Sequence, residues 1–307
     1  MQEAEVQPTI PIEVISFTEE EGQRFADGVL GSSVAIGERP VEEALSLTDG
    51  DGRTLRSTLK EIGYHGSDNI TAKNWDSWLE LHVEQGKRLE TAGTPIGVVN
   101  AIAGVVHLDM TIKGEADHAG STPMTDRRDA LAAASEVVLN LEQEMREFVE
   151  ERSDTAVGTV GKMVVSPNAT NVIPGRVELG IDIRDVKFDI MIEIENKIRN
   201  WVAEVERDRE VKVTTNRSLS LSPTQLSNRC IEAATKAAKK QGVGVQSLHS
   251  GAFHDTMNVA KVTDSGLLFA PSKDGVSHSP QEWTSWEDCK SATDVLAESI
   301  AILSNSS

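Results

Sequence analysis

Three short stretches of this 307-residue sequence place carboxylates and imidazoles where a divalent cation and a proton could be handled together. Glu20-Glu21-Gly22 closes the apolar, β-branched run Ile10–Phe17. Leu81-His82-Val83-Glu84-Gln85-Gly86 carries the run that begins at Trp78 into a turn. His278 stands in the loop Pro271–Pro280, after the apolar run Leu267–Ala270. Each run reads as a buried strand, and in open α/β sheets sites form outside the carboxyl ends of strands. Two adjacent carboxylates can divide labour, one holding a cation and the other moving a proton. Neutral imidazole is a ligand for zinc, cobalt, nickel or manganese. Glu, His and His are therefore the mixed oxygen and nitrogen set of a catalytic divalent metal. Each cluster also has a plainer reading: a solvated acidic turn for Glu20-Glu21, a satisfied core histidine for His82. His278, among small residues and prolines, has no core to satisfy it.

A second set lies mid-chain. Glu115–Pro123 sets His118 beside very small residues ahead of a helix start, and Asn168–Gly175, with Asn171 inside it, leads into a strand ending Asp182-Ile183-Arg184. Arg184 could hold a carboxylate through two parallel hydrogen bonds, or be a surface arginine paired with Asp182 or Asp185.

The elements that must position these residues alternate between strand and helix. The spacing predicts helix over Arg53–Ile62, strand over Trp78–Val83, a short helix over Gly86–Ala92, and two apolar runs in Ile96–Ile112 hinged at Ala103-Gly104. A long helix is expected from about Thr125 to Glu150, with its start signalled by Ser121-Thr122-Pro123. Strands over Ala156–Val165 and Arg176–Ile183, a helix over Asp189–Glu206 and a strand over Glu210–Thr215 complete a unit of the split βαβ type. After Pro223 come helix Thr224–Gln241, strand Leu267–Ala270 and helix Ser285–Leu303. The fold class is α/β, with a discontinuous domain of residues 1–104 and 217–307 interrupted by an α+β domain at 105–216.

Composition narrows the function. Lys and Arg number 30 against 49 Asp and Glu, a net charge of −19, which repels nucleic acid. No apolar run approaches the ~20 residues of a spanning helix, and the acidic start does not read as a signal peptide. A cytoplasmic protein that contacts neither nucleic acid nor membrane is the expectation. Cys230 and Cys289, both in helical stretches, are expected to be free thiols.

Six motifs occur in one order: EEG with Arg24-Phe25 just after it, LHxEQG, DHAGSTPM, NxxNVIPG followed by D-x-R, SGxxHD, and PSxxGxSHSP. From about Ile10 to the C-terminus the chain resembles the hydantoinase/carbamoylase branch of the dimetal aminoacylase- and carboxypeptidase-like amidohydrolases. That branch includes N-carbamoyl-L-amino-acid hydrolases and allantoate amidohydrolases. The resemblance implies a zinc-peptidase-like catalytic domain and an inserted lid through which the protein forms a homodimer. It implies two divalent ions per site (Zn, Mn, Co or Ni), Glu20 as general base, and Glu21, His82 and His278 as metal ligands. Gln85, His118, Asn171 and Arg184 match substrate-binding positions; Arg184 would hold the substrate carboxylate, and His118 would reach across the dimer to the developing oxyanion. His254, in the SGxxHD motif, matches a position near the substrate. The implied reaction is hydrolysis of a linear C–N amide bond in a small ureido acid.

Members of that branch carry an earlier His-x-Asp segment and a further Asp that bridges the metals. The His-x-Asp of this sequence, His107-Leu108-Asp109, lies in an alternating strand and reads as a chance match. The expectation is thus an N-terminally truncated chain, inactive or nearly so alone. Two alternatives stand beside the hydrolase: an inactive homologue that dimerises or binds a carboxylate ligand, and an aminoacylase or dipeptidase of the same superfamily.

Overall fold

The computed structural model describes residues 8–25, 28–66 and 70–305. In chain order the elements are α1 (Leu30–Ala35), α2 (Val41–Ser46), α3 (Leu55–Glu61), β1 (Ser77–Val83), α4 (Arg88–Ala92), β2 (Ile96–Ile102), β3 (Gly104–Lys113), α5 (Ala130–Glu151) and β4 (Val157–Ser166). Then follow β5 (Arg176–Asp185), α6 (Phe188–Asp208), β6 (Lys212–Leu221), β7 (Thr224–Gln225), α7 (Asn228–Lys240), β8 (Val245–Ser250), α8 (Asp255–Val259), β9 (Asp264–Ala270) and α9 (Trp286–Ser304). The chain divides into one unit of residues 1–102 and 224–307 and another of residues 103–223. No helix among the described residues is long and apolar enough to cross a membrane.

In the first unit the strand order is β1-β9-β2-β7, with β8 also paired to β2. β1 and β9 run parallel over seven residues, from Ser77 opposite Asp264 to Val83 opposite Ala270, so their carboxyl ends emerge side by side. Side chains alternate between the faces of a strand, and here the alternation separates core from chemistry. Leu79 and Leu81 of β1, with Leu268 and Ala270 of β9, pack against the small residues Ala233, Ala234, Ala237 and Ala238 of α7 and against Ala292, Val295 and Leu303 of α9. The intervening residues Trp78, Glu80 and His82 take the opposite face. Gly266 is required where α7 crosses β9, since a Cβ there would lie 2.7 Å from that of Cys230.

The second unit is a four-stranded antiparallel sheet in the order β4-β5-β3-β6, with α5 and α6 over one face. Val106, Leu108, Met110 and Ile112 of β3 and Val177, Leu179, Ile181 and Ile183 of β5 are buried under Ala130, Ala133, Ala134, Val137 and Leu141 of α5 and the apolar stripe Ile190–Val205 of α6. Burying each large side chain is worth roughly 1.5–3 kcal/mol.

Several expectations need correction. Ile10–Phe17 is not a buried strand: it joins no ladder, and Val14 is 95% exposed. An apolar run becomes a strand only where a sheet edge accepts its backbone, and Pro11 has no N–H to offer. α5 begins at Ala130 rather than near Thr125, because the Asp129 carboxylate accepts the N–H groups of Leu131 and Ala132 (2.9 and 3.1 Å). α7 begins at Asn228, since Thr224 and Gln225 pair with Ile102 and Ala101 of β2 instead. β6 spans Lys212–Leu221, longer than the Glu210–Thr215 strand expected.

Candidate active site

The side chains with chemical capacity in the first unit gather where β1 and β9 end. The two strands turn together, with Glu84 N–H donating to Ala270 O (2.9 Å) and Gln85 N–H to Ser272 Oγ (2.9 Å). Gln85 and His278 both take left-handed backbone conformations (φ 56° and 54°). Such conformations cost a non-glycine residue energy and are held by their surroundings; the His278 N–H donates to the Glu282 carboxylate at 2.8 Å.

His82 lies on the face of β1 opposite the α7 and α9 core. Its Nδ1–H donates to the Val83 carbonyl at 2.8 Å, so in the neutral ring Nε2 is the nitrogen with the lone pair. Its ring meets that of His254 edge-on, centroids 4.6 Å apart, and both rings rest near Phe269. His254 is fully buried, at 0% exposure. Burial, and then the charge of His82, push its pKa down to about 3, so the ring is neutral. Ser250 Oγ contacts Ala252 O (3.0 Å), accepts Ala252 N–H (3.1 Å) and contacts His254 Nε2 (2.8 Å); directing its one proton to the carbonyl makes the ring the donor to Oγ. Nδ1 of His254 has no hydrogen-bond partner, and Glu80 Oε1 stands 3.8 Å from it. The other Glu80 oxygen accepts the N–H (2.8 Å) and hydroxyl (2.6 Å) of Thr256.

Glu20 sits in a loop, not at a strand end; its carbonyl accepts Val29 N–H at 2.8 Å. Gly28, at φ 101°, passes so close that a Cβ would fall 2.9 Å from that carbonyl. Burial raises the pKa of the Glu20 carboxyl, the neighbouring Glu80 and Glu21 add to the rise, and His82 and His278 oppose it. One ligand atom from each of Glu20, His82 and His254 lies within 4.8 Å of the other two. Glu21 is paired elsewhere, its Oε2 3.0 Å from Nε2 of His278, with Gln85 Nε2 3.4 Å from the same nitrogen.

The structure thus brings together Glu20, His82 and His254, and beside His278 it brings Glu21 and Gln85. Sequence reasoning missed Glu80 and Asp255. Glu80 was legible only as the polar alternate of a strand. Asp255 is buried with one carboxylate oxygen unpartnered, and burial first, aided by the charges of Glu80 and Glu20, pushes its pKa up to about 7. These residues fit a divalent ion: imidazoles beside carboxylates are a zinc-type donor set.

In the second unit His118 and Asn171 are neighbours. His118 bridges to Val172, and Ala119 N–H donates to Asn171 O at 3.0 Å. His118 Nδ1 accepts Gly120 N–H (3.0 Å), leaving the ring proton on the exposed Nε2. Arg184 holds Asp182 in a two-pronged pair, Nε to Oδ1 at 2.9 Å and Nη2 to Oδ2 at 3.0 Å, and His107 Nε2 lies 2.9 Å from the same Oδ2. His107 is therefore engaged within the sheet.

Comparison with known proteins gives a consistent result. Residues 1–301 match the model of peptidase family M20/M25/M40. An N-carbamoyl-L-amino acid amidohydrolase of Geobacillus stearothermophilus is 40% identical over 294 residues, 94% of this chain and 70% of that protein. An allantoate amidohydrolase of Bacillus subtilis is 33% identical over 280 residues, 91% of this chain and 67% of that protein. A solved hydantoinase/carbamoylase-family amidase of Burkholderia multivorans superposes with a TM-score of 0.92 at 33% identity, covering 99% of this chain and 73% of that one.

Proposed function

We propose that this chain, which belongs to peptidase family M20/M25/M40, hydrolyses a linear C–N amide bond of an N-carbamoyl-L-amino acid, allantoate or a similar ureido acid. The observation that carries the reading is the set of carboxylates and imidazoles at the paired ends of β1 and β9. The names of its relatives, an N-carbamoyl-L-amino acid amidohydrolase and an allantoate amidohydrolase, support a ureido-acid substrate. Glu21, His82 and His278 are the residues assigned to hold divalent metal (zinc, manganese, cobalt or nickel). When bound, such ions polarise a carbonyl and lower the pKa of water.

The chain's own residues do the rest. Glu20 takes the proton of the attacking water and returns it to the leaving nitrogen; its partial burial makes the carboxylate a stronger base than an exposed one. Gln85, His118, Asn171 and Arg184 are assigned to substrate binding, with Arg184 on the substrate carboxylate. A carbamoyl substrate then yields an amino acid, ammonia and carbon dioxide.

The test is a panel of N-carbamoyl amino acids and allantoate set against N-acetyl amino acids and dipeptides, with manganese or zinc supplied. Ammonia release from the ureido acids, lost by 10²-fold or more in Glu20→Gln, is the expected result. Faster turnover of the N-acetyl compounds or dipeptides would move the chain to an aminoacylase or dipeptidase. Binding of a carbamoyl amino acid without turnover, lost in Arg184→Ala, would support the inactive-homologue reading. Homodimerisation through the second unit is part of the same proposal. It is supported by β4, which pairs only with β5 among the described residues and exposes Val157, Met163 and Val164. Light scattering that returns the mass of one chain at micromolar concentration would count against it.

A further inference from the structure

Two carboxylates of the first unit lie close to the reacting side chains but are turned away from them. Glu84 follows the last residue of β1, in the motif that also supplies His82 and Gln85. Both of its oxygens fold back onto the backbone: Oε1 accepts Arg88 N–H at 2.8 Å and Oε2 accepts Leu89 N–H at 2.9 Å. Those are the first two N–H groups of α4, which no carbonyl within the helix can satisfy, and Lys87, the residue before the helix, supplies no side-chain cap. A helix of five residues is too short to hold itself, so the Glu84 carboxylate ties α4 to the strand that ends beside it. Gly86 is needed for the fold-back, since a Cβ there would lie 2.8 Å from Glu84 Oε1. Glu90, on α4, makes the second tie: its Oε2 accepts Asp274 N–H (2.9 Å) from the turn Lys273–Gly275. Gly275, at φ 65°, comes so near that a Cβ would meet Lys87 Cγ at 2.6 Å and Gly86 C at 2.9 Å.

We propose that Glu84 and Glu90 are positioning residues: through α4 they hold the Gln85 turn against the His278 loop and so set the spacing of those two side chains. This rests on the hydrolase reading only in assigning Gln85 to the substrate and His278 to metal. Gln85, Asp274 and His278 all take left-handed backbone conformations, at φ 56°, 57° and 54°. Non-glycine residues keep such conformations only where the surroundings impose them, and α4 is the element between the two turns. Across the gap Gln85 Nε2 lies 3.4 Å from His278 Nε2. A displacement of about 1 Å at such a place is enough to cost roughly 10²-fold in rate. The two carboxylates differ in how many oxygens they use. Glu90 holds Asp274 N–H through one oxygen, so glutamine, which keeps a carbonyl, can replace it. Glu84 uses both, and glutamine there would set its NH2 group against a backbone N–H.

The experiment uses the full chain without added metal, labelled at glutamine and histidine, and reads the nuclear Overhauser contact between the Gln85 side-chain amide and the His278 ring. Glu84→Ala, Glu84→Gln, Glu90→Ala and Glu90→Gln are compared with the parent. The expected result is a contact in the parent and in Glu90→Gln that is lost in the other three. With zinc supplied, kcat/KM on an N-carbamoyl amino acid should fall about tenfold or more in those three and less than about threefold in Glu90→Gln. A contact that persists in either alanine variant would leave that carboxylate a stabiliser of its turn and overturn the proposal. So would a parent without the contact, or glutamine serving equally well at both positions. If Glu84→Ala does not fold, as judged by near-ultraviolet circular dichroism, the Glu90 pair decides alone. A parent that hydrolyses no ureido acid counts against the hydrolase reading, while the Overhauser contact still decides the positioning.

Discussion

Replacing Ser250 with alanine should release the tautomer of His254, and the effect can be worked from the contacts at one hydroxyl. Ser250 Oγ is the acceptor of the His254 Nε2–H (2.8 Å) and of Ala252 N–H (3.1 Å), and it donates to Ala252 O (3.0 Å). The serine is 2% exposed and the histidine 0%. Alanine leaves the Nε2–H buried without an acceptor, a penalty of about 1–3 kcal/mol. The Ala252 groups, less buried than the ring, can recruit water, so they add little. The ring has one escape: moving its proton to Nδ1, where Glu80 Oε1 stands 3.8 Å away and a small shift makes a charge-assisted hydrogen bond. The parent should therefore show a pure Nε2–H tautomer for its most shielded histidine, and Ser250→Ala a mixture or the Nδ1–H form. Imidazole nitrogen–proton correlation spectra of histidine-labelled apo protein read this directly, and urea unfolding reads the penalty. A loss of stability without a tautomer change would make Ser250 a packing residue only. An Nδ1–H tautomer in the parent would refute the reasoning, because the ring would then not donate to Ser250 Oγ.

Two further outcomes follow from the same contacts. Phe269 is 2% exposed and backs the rings of both His82 and His254, so Phe269→Ala should destabilise the first unit by about 3–5 kcal/mol in chemical denaturation; a loss under 1 kcal/mol would mean that the rings do not rest on it. Burial pushes the Asp182 carboxyl up, but the Arg184 guanidinium and the His107 ring together hold it below its ordinary 3.8. A depressed carboxyl stabilises the fold above its unfolded pKa and loses that contribution as pH falls through the folded value. Asp182→Asn should therefore flatten the decline in stability below about pH 4, and an unchanged acid limb would refute the assignment.

How much of this was legible in the sequence depended on whether the signal was local. His82 and His278 were found because each stands where an apolar run turns into a loop of small or polar residues, and parallel pairing of β1 with β9 does bring those two turns together. Pairing itself is not written locally. Ile10–Phe17 carries the same apolar signal as Leu267–Ala270, yet one is exposed coil and the other the centre of a ladder. The difference lies in neighbours contributed from elsewhere in the chain. β8 escaped notice for the opposite reason. Four of the six residues of Val245–Ser250 are polar, and it is a strand because β2 accepts it in parallel over most of its length.

The same reasoning explains why the role of His254 could not be read in advance. Its motif placed it near the other residues, but its chemical state follows from three hydrogen bonds at Ser250 and from complete burial. An exposed histidine next to Glu20 would be a titrating group with water for a partner. Buried, with Nε2–H committed, it has a single unshared pair and nothing to give it to. Burial normally excludes unpaired polar atoms. This one persists beside a second imidazole and two carboxylates, and an apolar side chain at residue 254 would fill the space without an orphaned nitrogen, so the imidazole is there for its polarity rather than for its bulk.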